Sequence, residues 1–321
     1  MRRIAALFTI LFTTLFPLVT LHGEEITGDV EISTEDIPRF WAAYDLAKTA
    51  PDRAAVFQSL FIDKVDPRVR QFIRPSKMYA DMTLHYPRFW ESIRPNTERI
   101  AEKREEMRRT FRRFAEIYPA FRPPRLHFSI SACQTGGTVK DGIVFFGTEI
   151  LTADATTDKE EFRKFPFYHV LGSTGGDVTV LVTHELVHTQ QPQGDNADDA
   201  TLLEQTITEG AAEFITILLT GKITFRSAWE YGYANEERLW NEFRAQMNDK
   251  DLSHWLYNMA TTPAGRPADL GYFLGFRICQ AYYRKQTDQR RALAEIIQCR
   301  DFPSLLKASG YGDEGFPFGK E

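Results

Sequence analysis

Cysteine is scarce in this sequence: Cys133, Cys279 and Cys299 are the only three in 321 residues, and no two stand in a C-x-x-C spacing. That excludes a cysteine-built zinc ribbon and a thioredoxin-like redox pair, and the odd count leaves at least one thiol unpaired within the chain. Cys279 and Cys299 could pair in an exported protein, although three unreactive buried thiols is the plainer reading. An excess of one charge is lacking too. The 39 basic and 44 acidic residues give a net charge of −5, so nothing global points to nucleic acid or to an anionic membrane surface. There is no internal repeat and no low-complexity tract. What is plentiful is aromatic residues, 13% of the chain within 43% hydrophobic residues, which argues for a large packed core and against disorder.

A long apolar run occurs once, at the start. Arg2 and Arg3 precede a stretch from Ile4 to Leu21 that is almost wholly apolar or Thr, and the small Gly23 stands before Glu24 and Glu25. This is the order of a secretory signal peptide, predicted over residues 1–23 with cleavage after Gly23. The alternative is a retained membrane anchor, but Pro17 interrupts the run near its end. No Cys lies near the cleavage site, so attachment of a lipid through Cys is not expected. The chain is expected to be exported in a bacterium, to the periplasm, the cell envelope or the medium, and to meet a membrane only through this segment if it is uncleaved.

The next stretch, residues 24–120, reads as helical. Ser33 and Thr34 can cap a helix carrying Ile37, Phe40, Trp41, Tyr44 and Leu46. A second, about Asp52 to Ile62, carries Val56, Phe57, Leu60 and Phe61. Pro51, Pro67, Pro75, Pro87 and Pro95 punctuate this half into short helices. A longer basic helix is predicted from about Asn96 to Tyr118. Its Arg and Lys residues alternate with Glu98, Glu102, Glu105 and Glu106, as on a solvated, ion-paired face.

Pro123-Pro124 marks a change of character into residues 121–321, expected to pack with the first half as one unit. Arg125 to Ser131 reads as a strand, Gly136-Gly137 as a turn, and Gly142 to Ile150 as a second strand. The strand part Ile143 to Phe146 could offer an edge to an extended substrate. Helical periodicity dominates from about Asp177 to Arg300. The predicted fold class is α+β, mainly helical, with a small β-sheet next to a helical bundle that bears the chemistry.

That chemistry is concentrated in Leu181-Val-Thr-His-Glu-Leu-Val-His-Thr-Gln190. His184 and His188 are four apart on an apolar helix, so both imidazoles leave one face and can reach one Zn²⁺. Two histidines on a buried helix need polar partners, which favours a metal. Glu185 sits beside the first histidine and can act on a water as general base. A third ligand is needed. Thr208-Glu209-Gly210-Ala211-Ala212-Glu213 offers Glu209 as ligand and Glu213, one turn on, as acceptor for the free N–H of a ligand histidine. Gly210, Ala211 and Ala212 would let that helix approach another backbone closely. Glu204 is a rival to Glu209 on another part of the helix. His127 and His169 read as core or surface histidines.

The pair His184-Glu185-x-x-His188 and Glu209-x-x-x-Glu213 resembles the gluzincin zinc peptidases, whose best-known member is thermolysin. The resemblance implies Glu209 as metal ligand and Glu213 as the residue that orients a ligand histidine. Gln190 departs from that group, which prefers an apolar residue there. A closer resemblance is to exported bacterial predicted Zn-dependent proteases related to the gliding-motility lipoprotein GldB. It rests on Arg39-Phe40-Trp41, the zinc helix, and Gly271-Tyr272-x-x-Gly275-x-x-Ile278, without the lipoproteins' anchoring Cys. Tyr272, His254, Arg266 and Tyr257 are candidates to stabilise an oxyanion. Tyr272 is chosen, because it lies in the last of these motifs. The expected activity is hydrolysis of peptide bonds in a peptide or protein substrate, with Zn²⁺ as cofactor. Two alternatives use the same ligands: a non-catalytic, zinc-stabilised envelope assembly or motility protein, and a peptidoglycan amide hydrolase.

Overall fold

In the computed structural model, residues 30–169, 171–172, 175, 177–192, 199–224, 226–313 and 315–316 are described. The predicted signal peptide lies outside the described residues. The chain enters through a two-residue strand, β1 (Ile32–Ser33), and turns into α1 (Asp36–Ala47). Ile37, Phe40, Trp41 and Tyr44 are buried as predicted, but Leu46 faces solvent. Ser33 does not cap the helix, because it belongs to β1. Instead Glu35 accepts the Ser33 hydroxyl and the Thr34 amide. Helix α2 (Arg53–Leu60) opens where Asp52 accepts the Ala55 amide, a side-chain cap on an otherwise orphan donor. Helices α3 (Ser76–His85) and α4 (Pro87–Glu98) follow. Phe40 is the hub of this region: the rings of Trp41, Phe57, Phe61, Tyr79 and Trp90 surround it at centroid distances of 5.0 to 6.1 Å.

The basic helix predicted from Asn96 to Tyr118 is not continuous. Helix α4 runs through Pro95, a 3₁₀ segment covers Arg99–Lys103, and α5 (Arg104–Ile117) completes it. Pro95 removes one intrahelical hydrogen bond. The buried stripe Phe89, Trp90, Ile93 and Thr97 holds α4 together across that gap. The charged face is ion-paired as read: Lys103 with Glu106 at 2.9 Å, Arg108 with Glu105 at 2.7 Å.

Strands β2 (Arg125–Ser129), β3 (Gly137–Lys140) and β4 (Ile143–Gly147) join β1 in the order β1-β2-β4-β3. The first three in that order are parallel, and β3 is antiparallel to β4. Two expectations are corrected here. The turn is at Asp141-Gly142, whose φ values of 53° and 73° suit a tight hairpin, while Gly137 begins a strand. And β4, buried at every residue, is interior, so among the described residues the sheet edge on that side is β3. The strand also ends early: after Gly147 the chain forms α6 (Thr148–Leu151).

The N-terminal helices are tied to the sheet by polar contacts within one continuous buried cluster. Asp36 at the start of α1 pairs with His127 of β2 at 2.8 Å, and the Tyr79 hydroxyl donates to the Ile130 carbonyl at 2.8 Å. His127 is thus a satisfied core histidine; His169 is exposed.

The rest is α7 (Val178–His188), α8 (Leu202–Thr220), α9 (Arg226–Ala234), α10 (Glu236–Arg244), α11 (Leu270–Lys285), α12 (Gln289–Ile297) and α13 (Phe302–Ser309). Residues 245–269, expected to be helical, form an irregular segment instead. Helices α8 and α11 cross with their backbones in contact. A Cβ on Gly210 would lie 2.0 Å from the carbonyl carbon of Gly275, and one on Gly275 would lie 1.9 Å from the Thr206 carbonyl oxygen. All three cysteines are free, so the Cys279–Cys299 pairing is not made. Among the described residues no helix is long and apolar enough to cross a membrane. The architecture is α+β, mainly helical, with a small four-stranded sheet.

Candidate metal centre

Helix α7 begins at Asp177, whose carboxylate caps it by accepting the Val180 amide. Its apolar residues Val182, Leu186 and Val187 are fully buried, which fixes its rotation and turns His184 and His188 toward α8. Helix α8 starts with a capping box: Thr201 accepts the Glu204 amide, and Glu204 accepts the Thr201 amide at 2.7 Å. Glu204 is therefore committed to the helix end and stays out of the site. One turn and a half further, Glu209 faces α7.

Three atoms converge. His184 Nε2 and His188 Nε2 are 3.1 Å apart, and each is 3.2 Å from Glu209 Oε2. Among the described residues this is the group of histidines, cysteines and carboxylates able to hold a metal ion. Tetrahedral zinc with bonds of about 2.0–2.1 Å spaces its ligand atoms by about 3.3–3.4 Å, so the triangle needs little adjustment to fit. The chemistry of the donors supports the same fit. Two imidazole nitrogens at 3.1 Å either share a proton or face a cation, because two bare lone pairs repel.

The surroundings orient each donor. Glu213 is fully buried, and its Oε1 lies 2.9 Å from His184 Nδ1, out of line for a strong hydrogen bond. Its two oxygens have no other hydrogen bond among the described residues. Such a carboxylate is costly to bury unless a positive centre lies nearby, which a cation on His184 would supply. On the other histidine, Nδ1 is 2.7 Å from Gln191 Oε1, and Gln191 Nε2 donates to the Thr208 carbonyl at 2.8 Å. That carbonyl can only accept. The amide is thereby oriented, His188 carries its proton on Nδ1, and Nε2 is left with its lone pair toward the triangle.

Burial alone would drive the His184 imidazole neutral, but the carboxylates of Glu209 and Glu213 outweigh it and hold its pKa well above the usual value. His188 is raised in the same way, burial being overcome by Glu209. For Glu209 burial acts upward, and the two histidines bring the carboxyl well below its usual range. The site thus carries a buried carboxylate that favours positive charge.

Glu185 is half-buried beside this triangle. The edge strand passes next to it: a Cβ on Gly137 of β3 would lie 3.5 Å from the Glu185 carboxyl carbon. Of the four oxyanion candidates, contacts bring Tyr272 and Tyr257 to the triangle, while Arg266 and His254 line a separate cleft. Tyr272, buried on α11, has its ring 5.9 Å from that of His184. Tyr257, in the irregular segment, donates its hydroxyl to Glu209 Oε1 at 2.5 Å. Arg266 is engaged by Glu242 at 2.9 Å and stacks on Trp255. His254 is exposed and lines a cleft of about 540 Å³ with Trp255 and Arg266.

Sequence reasoning missed Gln191 and Gln205. Gln191 stands three residues beyond His188, a spacing that a search for helix-end partners would have found. Gln205 stands one turn before Glu209 and donates to the Tyr257 hydroxyl at 2.6 Å. Gln190, the departure from the gluzincin pattern, is buried and exchanges two hydrogen bonds with the backbone of Arg122, at 2.8 and 2.9 Å. It ties the end of α7 to the segment leading into β2.

Residues 165–298 match a family described as "Predicted Zn-dependent protease (DUF2268)". The span contains α7 to α12, so it includes His184, Glu185, His188, Glu209, Glu213 and Tyr272. No curated protein matches the chain, and no solved structure does.

Proposed function

We propose that this chain is an exported zinc-dependent peptidase of gluzincin type, related to the gliding-motility lipoprotein GldB. The observation that carries the activity is the convergence of three donor atoms within 3.1–3.2 Å, with Glu185 on the same helix and beside the edge strand β3. His184, His188 and Glu209 would hold the zinc, and Glu213 and Gln191 orient the two imidazoles. When bound, the ion supplies Lewis acidity toward a carbonyl oxygen and lowers the pKa of a water molecule.

The chain's own residues do the rest. An extended peptide adds to the free edge of β3 through main-chain hydrogen bonds, which carries its scissile bond past Glu185. Glu185 accepts the proton of the attacking water and returns it to the leaving amine. Tyr272, whose ring lies against His184, is assigned to the oxyanion. The strand edge beside the carboxylate favours a peptide over a wide glycan-bearing substrate. Export is supported by the segment from Arg2 to Gly23.

Glu185→Gln tests the activity. The variant should keep its zinc and lose hydrolysis of an unstructured protein substrate by at least about a hundredfold, the usual weight of general-base catalysis. Undiminished hydrolysis by this variant sinks the mechanism.

A further inference from the structure

The two oxygens of Glu209 have different surroundings. Oε2 faces both histidines, at 3.2 Å from each. Oε1 faces away from them, toward the Tyr257 hydroxyl at 2.5 Å and Gln205 Nε2 at 3.3 Å. The direction of the hydroxyl proton follows from its other neighbour. Gln205 Nε2 donates to the Tyr257 oxygen at 2.6 Å, so the single O–H of Tyr257 is free to go only to Glu209. Oε1 is thereby occupied by a donor.

Burial does not hold Tyr257 there, since it is 58% exposed. Its backbone does. Tyr257 and Asp269 both sit in the left-handed region, at φ 56° and 61°. That conformation is unfavourable for residues with side chains and persists only where neighbours enforce it. The enforcement is a reciprocal pair. The Asp269 amide donates to Asn258 Oδ1 at 2.9 Å, and the Asn258 amide donates to Asp269 Oδ1 at 3.3 Å. Next to it the Gly271 amide donates to the Trp255 carbonyl at 2.8 Å. Residues 255–258 are thus stitched to the start of α11, the helix that crosses α8 beside Glu209.

We propose that Tyr257 is a positioning residue that limits Glu209 to ligation through one oxygen, and that the Asn258–Asp269 pair sets its place. A metal held there would have three protein ligand atoms and keep a position open, which a two-oxygen carboxylate would fill. This rests on the metal site proposed above.

The test uses the metal-free full chain and cobalt(II), whose visible absorption is strong in tetrahedral and weak in higher coordination. Wild type should bind one cobalt with intense bands. Tyr257→Phe keeps the backbone and the exposed ring, so the fold should be unchanged. Its bands should weaken markedly, and cobalt affinity should fall about tenfold, the lower range for loss of a ligand's hydrogen-bond partner. Asn258→Ala should produce the same spectral change, and the double variant no more than either alone, because both act through one contact. A Tyr257→Phe spectrum and affinity matching wild type would overturn the inference and leave the metal site standing. Failure of wild type to take up cobalt would overturn both.

Discussion

The helix crossing behind the site gives a sharp test, because two effects of one substitution have opposite signs. Replacing a helical glycine by alanine ordinarily stabilises by about 0.5–1 kcal/mol, since alanine loses less backbone freedom on folding. At Gly275 the new Cβ would stand 1.9 Å from the Thr206 carbonyl oxygen and 2.8 Å from the Gly210 Cα. Carbon and oxygen tolerate about 3.3 Å at the closest, so α8 and α11 must separate by about 1.4 Å. Overpacking of this kind costs about 1–3 kcal/mol or more. The packing term wins, and Gly275→Ala should destabilise the protein by about 1–2 kcal/mol net. The displacement also reaches the site, because Glu209 adjoins Gly210 on α8. A metal site tolerates ligand shifts of only about 0.2 Å, so zinc affinity should fall as well. Denaturant melts and chelator competition measure the two effects. A Gly275→Ala protein that is more stable than wild type, with unchanged zinc affinity, would refute the backbone-contact reasoning.

Two further predictions probe the supports of the site. Gln191→Leu removes the acceptor for His188 Nδ1 and should lower zinc affinity by about 10–100-fold with little change in folding, read by chelator competition. The second concerns the buried carboxylate of Glu149, which accepts the amides of Ser131 and Cys133 and shapes the loop before β3. Burial raises its pKa above 4.5, although those donors oppose the rise. A raised folded-state pKa means the group's contribution to stability is full below about 4.5 and is lost as pH rises through the folded value. Glu149→Gln, which cannot ionise, should therefore gain on wild type in urea melts as pH goes from 4 to 7. A constant gap between the two proteins over that range would contradict the sign.

The clustering of His184, His188 and Glu209 was legible because much of its information is local. Four-residue spacing on a helix puts His184 over His188 and Glu209 over Glu213 whatever the rest of the chain does. Gly210, with Ala211 and Ala212, was legible as a close helix contact for the same reason. The sheet was less so. Strand β3 is short and half-exposed, and its apolar content is Val139 alone, so hydrophobic pattern marks β4 and gives no strand before Asp141-Gly142 to make that pair read as a turn. Pro95 reads as a boundary because propensity is local, whereas the stripe Phe89-Trp90-Ile93-Thr97 that carries α4 past it acts through tertiary packing. Tyr257 was only one name among four, because an irregular segment brings it to Glu209 across 48 residues and no periodicity encodes that.

The central claim is that His184, His188 and Glu209 bind one metal ion. Elemental mass spectrometry of the purified chain, gel-filtered without added metal, tests it most directly. About one zinc per chain, lost on His184→Ala or Glu209→Ala while the fold persists, is the result expected. A wild-type chain that holds no metal and takes up none when zinc is added would contradict it.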